Sequence, residues 1–401
     1  MIDSAVVRLL FEGLPPIGDQ DATALPFPPE ELAASPLALP ERLSGAPANG
    51  TPEAAPDASS GTGTDAAYGS ATSGSGPDAS SGTARTAASD AWTLREKHGL
   101  RWLELPVPGL PAPLYITGPA TSTLDVARLL VQAGIFPEWS SVLSLSQSSG
   151  RGQMRRAWAS PAGNLYSALR LPLAPPFDSA AAAPACGSLF ADALSAEGCP
   201  VMLKWPNDIL QAAPSFRPGI TPGRNDCFKV GGMLMEERNH ALIAGTGFNL
   251  SSFPPNSTLR DNYAFSAGIL RRADGSPLLG SSLGTAREND SKYKDIVTIF
   301  TLWIRLASRL FSCYSQKQTL EPWWPALAQR HLAFRGCRVT LADACPERET
   351  MVRIPCEGTV DGVTASGALR LSTAYGTETF LGGSILPASG SSAAEPSPSS
   401  E

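Results

Sequence analysis

Between about Ser44 and Ser89 the chain is built almost entirely of Ala, Ser, Gly, Thr and Pro with scattered Asp, and this bounds how much of it can fold. Such a stretch has too little apolar surface to offset the entropy of ordering it. Ahead of it, short apolar patches (Val6 to Phe11, Leu37 to Leu39) are broken by Pro15, Pro16, Pro26, Pro28, Pro29, Pro36 and Pro40, a density incompatible with a compact helical bundle. Residues 1–90 are therefore expected to be a mostly disordered low-complexity region, and the Ser, Pro and Glu-rich tail 388–401 likewise.

From near Ala91 the pattern becomes regular. Leu114 to Gly118 reads as a short strand, followed by a helix capped by Ser122 or Thr123, with Val126, Leu129 and Leu130 at helical spacing. Ser141 to Gln147 alternates like a half-buried strand and leads straight into a Gly-Arg loop, Ser149 to Arg156. Asn164 to Leu171 reads as another alternating strand, Ala180 to Glu197 as an alanine-rich helix closed by Gly198, and Val201 to Lys204, Val230 to Glu236 and Ala241 to Leu250 as three further strands. The Pro/Gly-rich run Leu210 to Phe228 is expected to be a surface connector. A longer amphipathic helix is expected over Lys292 to Tyr314, with Val297, Phe300, Ile304, Ala307 and Phe311 on its apolar face. After Arg335, short β segments punctuated by glycine predict a small barrel. The fold class is α/β (α+β), a mixed sheet packed by helices with the barrel behind it.

Charge and cysteine content narrow the function. A formal net charge of -6 gives no overall positive field for nucleic acid. The seven cysteines contain no C-x-x-C pair and only three histidines accompany them, which argues against a zinc site or disulfide framework and for free thiols in a reducing cytoplasm. Met1 to Leu14 lacks the basic start and long apolar core of a signal peptide, and no segment offers the roughly 20 uninterrupted apolar residues of a membrane helix. A soluble cytoplasmic protein is expected.

The residues suited to chemistry lie on closely spaced strand-like segments. Gly150 and Gly152 let backbone approach a ligand, and Arg151, Arg155 and Arg156 supply positive charge, although a basic glycine loop alone is more often a solvated turn. Lys204, Trp205, Pro206, Asn207 and Asp208 form one run, in which Pro206 forces an exit from the strand and Asp208 stays close to Lys204. Lys229 precedes Gly231 and Gly232, a pair that weakens a strand unless something passes close to its backbone or a bulge is needed. Glu236 reads as a structural ion-pair partner, and Gly245, Gly247 and Asn249 again put small residues on one strand. His98, His240 and His331 lie apart from these clusters, no nucleophilic Ser or Cys arrangement is visible, and no P-loop is present. What remains is positioning and charge stabilisation around a phosphate.

In order and spacing these motifs resemble the biotin-protein ligase family (biotin-[acetyl-CoA-carboxylase] ligases, holocarboxylase synthetases), from about Leu114 to Ile385 and including the small barrel. The resemblance implies a biotin and ATP-binding catalytic domain over 91–330 and a β-barrel domain over 333–387. It implies condensation of biotin with ATP and Mg²⁺ to biotinyl-5′-adenylate, then transfer to a lysine of a biotin carboxyl carrier protein or domain. Ser122, Thr123 and Gln147 would meet biotin. Arg151, with Gly150, Gly152, Gln153 and Trp158, would form the loop over biotin and the adenylate phosphate. Lys204 and Lys229 would stabilise carboxylate and phosphate oxygens, Asp208 would orient or deprotonate the incoming lysine, and Asn207, Gly231, Gly232, Gly247 and Asn249 would complete the ligand site. No resident metal ligand is implied.

The sequence departs from the family pattern at Leu124 (usually Asn), Gln153 (usually a second Arg) and Arg155 (usually a third Gly), which suggests a weaker hold on the adenylate. Some members start with a DNA-binding helix-turn-helix; here the proline-laden start and acidic balance predict no DNA binding, and no membrane partner is expected. A lipoate-protein ligase or octanoyltransferase, whose usual Arg-Arg-x-x-Gly-Gly-Gly signature is absent, and a non-catalytic biotin sensor stand as alternatives. The sequence leaves a homodimer open.

Overall fold

The computed structural model describes residues 6–10, 93–97, 100–106, 111–153, 156–213, 226–255, 265–279, 288–317, 322–347 and 355–387. Ten strands form one mixed sheet: β1 (Val6–Leu10), β2 (Thr93–Lys97), β3 (Leu100–Pro106), β4 (Leu114–Thr117), β5 (Ser141–Ser144), β6 (Leu165–Leu171), β7 (Val201–Lys204), β8 (Asp208–Ala212), β9 (Cys227–Arg238) and β10 (Ala241–Phe248). Their order across the sheet is β2-β3-β1-β4-β5-β6-β10-β9-β8-β7. The helices among the described residues are α1 (Thr123–Gln132), α2 (Ala182–Ala196), α3 (Glu288–Gln316) and α4 (Trp324–His331). Strands β11 (Arg338–Pro346), β12 (Cys356–Val363), β13 (Leu369–Thr373) and β14 (Gly376–Pro387) close into a separate antiparallel barrel.

The expectation of disorder over 1–90 and 388–401 lies outside the described residues except at Val6–Leu10. These five residues form β1, antiparallel to β3 and parallel to β4. The run Val-Val-Arg-Leu-Leu precedes the first proline, so every backbone N–H is free to join a ladder, and its β-branched start favours the extended chain.

Helix α1 starts where expected: Ser122 adopts extended backbone and its Oγ accepts from the Leu124 amide at 3.3 Å. Leu124, Val126, Ala127 and Leu130 then pack against Val142 of β5, Ala168 of β6 and Ile243 of β10. On the opposite face of the sheet, Phe190 of α2 meets Phe248 of β10 and Trp303 of α3. This double cover corrects the half-buried reading of the strand after Ser141. All four residues of β5 are buried, because Val142 joins the α1 core while Ser141 Oγ accepts from Trp303 Nε1 at 2.9 Å.

The stripe that α3 buries also differs from expectation. It runs through Phe300, Trp303, Leu306, Ala307, Leu310 and Tyr314, with Ile304 and Phe311 only half-buried at its border. Trp303, seated between Phe190 and Ser141, sets that rotation. The expected connector Leu210 to Phe228 is ladder at both ends, in β8 and β9, around a stretch outside the described residues. All seven cysteines are free, and no helix among the described residues is long and apolar enough to cross a membrane.

Candidate functional site

The site is built on one face of β10 and β9. Side chains alternate along a strand, so Gly245 and Gly247 of β10 share a face, and their partners Leu234 and Gly232 of β9 share it too. A methyl group at Gly245 would stand 2.9 Å from Leu124, and one at Gly247 2.6 Å from Trp158 Nε1. The absent side chains let the start of α1 and the loop 147–160 lie directly on the sheet. Gly231 points the other way, against the Phe248 ring, and belongs to the core rather than to the site.

Two lysines and a carboxylate close one end. Lys204, at the end of β7, and Asp208, at the start of β8, face each other across the Trp205-Pro206-Asn207 turn, with Lys204 Nζ 3.4 Å from Asp208 Oδ2. Lys229 Nζ lies 2.5 Å from Asp208 Oδ1. Simple alternation would put Lys229, three residues before Gly232, on the opposite face. A β-bulge prevents this: Ile209 and Leu210 of β8 pair with Gly231 and Lys229 of β9, so that Val230 is the extra residue. The bulge shifts the alternation by one and turns Lys229 toward Asp208.

Lys204 is buried, and burial pulls its ammonium below the ordinary lysine range, with the Asp208 charge opposing and the Lys229 charge reinforcing that shift. For Asp208, burial alone would raise the carboxyl. The Lys229 and Lys204 charges and their hydrogen bonds outweigh it and hold the group below the usual carboxylate range. Lys229 Nζ also stands 5.2 Å over the Trp158 ring, and Lys204 Nζ 5.8 Å over Phe265.

The loop above the glycines is tied down by its own backbone. Trp158 N donates to Gly150 O at 2.9 Å, Gly152 N to Arg156 O at 2.8 Å, and Arg151 bridges Ala157. Gly150 is required there, since a methyl group would sit 2.4 Å from Trp158 O. Gln147 links this loop to α1: its Oε1 accepts from Thr123 N at 2.8 Å and Thr123 Oγ1 at 3.2 Å, while its Nε2 donates to Ser160 Oγ at 2.9 Å. Trp158 Nε1 is buried without an acceptor among the described residues, a donor aimed over Gly247.

Arg151 is not with the lysines. Its guanidinium lies 2.9 Å from Asp125 Oδ1 and 3.6 Å from Glu236 Oε1, and Arg128 pairs with the same two carboxylates. Glu236 lies on the site face of β9, two residues beyond Leu234, so this four-charge cluster marks the far end of the same glycine floor. Gln153 is exposed on the loop. Asn207 donates to Met233 O at 2.8 Å and Asn249 to Gly268 O at 3.1 Å, so both amides hold backbone. Sequence reasoning missed Asp125 and Arg128, which reach the site together from α1, and Phe265, which reaches it from the segment after β10. Only Asp125, directly after the helix start, carried a local signal. Among the described residues no group of three or more His, Cys, Asp or Glu gathers to hold a metal ion.

The floor therefore offers backbone in close approach, with a lysine pair at one end and an arginine held by carboxylates at the other. Such a surface suits a ligand with an anionic junction near Lys204 and Lys229.

No curated protein matches the chain. Solved structures similar to it include a biotin protein ligase from Aquifex aeolicus in complex with biotin and ATP, with 20% identity over 68% of this chain and 97% of that one, at a TM-score of 0.44. A biotin protein ligase from Leishmania major in complex with biotinyl-5-AMP shares 22% identity over 67% and 98%, TM-score 0.37. A biotin protein ligase-like protein of unknown function from Silicibacter shares 16% over 68% and 94%, TM-score 0.36. The sequence itself matches the biotin/lipoate A/B protein ligase family over residues 134–249. The matched residues hold Gln147, Arg151, Trp158, Lys204, Asp208, Lys229 and Gly247.

Proposed function

We propose that the chain is an ATP-dependent biotin-protein ligase, which joins biotin to ATP as biotinyl-5′-AMP with release of pyrophosphate. The amine of a lysine on a biotin carboxyl carrier domain then attacks the mixed anhydride, forming the amide and releasing AMP. The observation that carries this reading, beside the family match, is the convergence of Lys204 and Lys229 on Asp208 at 3.4 and 2.5 Å. Attack of a carboxylate on an α-phosphate brings two anions together, and preorganised cations offset that repulsion most strongly where water is excluded. Mg²⁺ enters as part of the nucleotide substrate and neutralises its phosphates.

Asp208 serves here as the counter-ion that keeps both ammonium groups aimed at one point. Because the lysines hold its carboxyl below the usual range, it is a weak base, and orientation of the incoming amine suits it better than deprotonation. An acceptor lysine, with an ordinary pKa of about 10.4, would give up its proton to solvent water on entering the site, because desolvation beside Lys204 and Lys229 disfavours a third ammonium. Trp158 Nε1, buried and without an acceptor among the described residues, supplies a further donor to a ligand lying over Gly247. Seven free thiols accord with work in a reducing cytoplasm.

The test is incubation of the protein with ATP, Mg²⁺, biotin and a carrier domain, followed by mass analysis of the carrier. The expected result is a biotin increment on one lysine, absent with Lys204→Ala. A carrier unmodified by biotin but modified when lipoate replaces it would assign the other acyl group of the family; no modification by either would overturn the reading.

A further inference from the structure

The turn that carries Lys204 and Asp208 is held from the barrel side by three separate contacts. Trp205, directly after Lys204 and only 1% exposed, donates its Nε1–H to the carbonyl of Gly367 at 2.9 Å, in the loop between β12 and β13 of the barrel. Gly367 can be there only as glycine: its φ is +94°, and a methyl group would stand 2.6 Å from Ala181 Cα and 2.7 Å from Ala180 O at the entry to α2. The chain running from α4 into the barrel lies along the free edge of β7, where Ala333 N donates to Leu203 O at 2.8 Å. Phe334 of that connector stacks on Phe265 at 5.7 Å, and Phe265 is the ring beneath the Lys204 ammonium.

We infer that the barrel is a positioning module of the lysine site, with Trp205 a positioning residue and the Gly367 carbonyl its anchor. Each contact fixes a different neighbour of one side chain: the backbone before Lys204, the ring after it, and the ring beneath its ammonium. β7 is the last strand of the sheet, so without these contacts the strand bearing Lys204 would be held on one side only. A buried N–H that loses its acceptor also seeks another, so the Trp205 ring would not keep its place if the barrel loop moved away. Displacement of a charge-stabilising group by about 1 Å costs roughly a hundredfold in rate, whereas ligand groups elsewhere on the glycine floor are untouched.

This inference rests on the ligase reading, and its test separates the two. Biotin-dependent exchange of pyrophosphate into ATP is measured for the full chain and for Gly367→Ala and Trp205→Phe, below each variant's melting midpoint and across pH. Gly367→Ala forces the barrel loop off α2 without altering the turn; Trp205→Phe removes the donor and keeps a ring. Both are expected to lose turnover roughly tenfold or more, to keep KM for biotin within about twofold, and to shift the pH profile of turnover, because the surroundings of Lys204 change. A barrel that merely stabilises the fold would lower the amount of active protein and leave the profile of the remainder in place. Turnover within twofold of wild type, or a loss with an unmoved profile, would overturn the inference. Should Gly367→Ala fail to fold at the assay temperature, Trp205→Phe decides. Absence of exchange by the wild-type chain with either biotin or lipoate would instead contradict the ligase reading.

Discussion

Replacing Asp208 by Asn keeps the shape of the turn and removes the one charge that both site lysines share. The side chains concerned are 7% (Lys204), 18% (Asp208) and 31% (Lys229) exposed. Breaking a fully buried ion pair costs about 3–5 kcal/mol, because a charge is left without a partner. The Lys229 limb is partly open to water and falls toward the roughly 0–1 kcal/mol of a surface pair. The Lys204 limb is more deeply buried but long at 3.4 Å, and Lys204 can relieve the strain by shedding its proton, to which burial already inclines it. A net loss of about 2–3 kcal/mol follows. At about 2–4 °C per kcal/mol for a domain of this size, the melting midpoint should fall by roughly 4–12 °C.

The pH dependence fixes the cause. The folded pKa of Asp208 is depressed, so its contribution is complete above the unfolded carboxyl value of about 3.9 and is lost as pH falls through the folded value. Thermal unfolding of wild type and Asp208→Asn should differ fully at pH 7, and the gap should close on acidification below about pH 4. Equal midpoints at pH 7, or a gap that persists unchanged at about pH 3, would refute the charge argument.

Asn164→Ala removes a side-chain oxygen that accepts from the amides of Leu250, Ser251 and Ser252 at 2.8, 3.0 and 3.2 Å. It should lower stability by about 2–3 kcal/mol in urea unfolding, with Asn164→Asp losing less. Gly247→Ala puts a methyl group 2.6 Å from Trp158 Nε1 and must lift that ring from Lys229. Calorimetry should find binding of biotin with ATP weakened by about tenfold while the fold loses only about 1–3 kcal/mol. Asp192→Asn breaks contacts to Arg309 and Arg330, whose side chains are 50% and 61% exposed. It should cost less than about 1 kcal/mol by the same unfolding assay, however many partners the carboxylate has.

How much of this was legible in the sequence follows from how local each feature is. Lys204 and Asp208 were readable as a pair because a proline turn brings them face to face within five residues. The helix start at Ser122 was readable for the same reason, being fixed by the amide two residues on. Lys229 was legible as a candidate from its place before Gly231 and Gly232, and its partnership with Lys204 from the resemblance. Its orientation depends on a bulge at Val230 that is defined only by the register with β8, and alternation along β9 predicts the wrong face. Arg151 was placed over the adenylate phosphate by the resemblance, and its partners Asp125 and Glu236 could not be read locally, since they come from α1 and β9 and only tertiary packing places them beneath the loop. The Trp205 and Gly367 contact spans 162 positions and has no local trace at all. In β1, five apolar-rich residues ahead of a proline-dense stretch were too few to announce a strand, and the sheet supplied the rest.

The proposed ligase chemistry requires Lys204 and Lys229 to act as one cationic pair at an acyl-phosphate junction. Exchange of labelled pyrophosphate into ATP, with and without biotin, tests it most directly, because it reports the first chemical step without any carrier protein. The wild-type chain should exchange only when biotin is present, and Lys204→Met and Lys229→Met should each lose at least about a hundredfold, with the double variant little worse than either single one. Exchange that persists in both single variants at the wild-type rate would contradict the account.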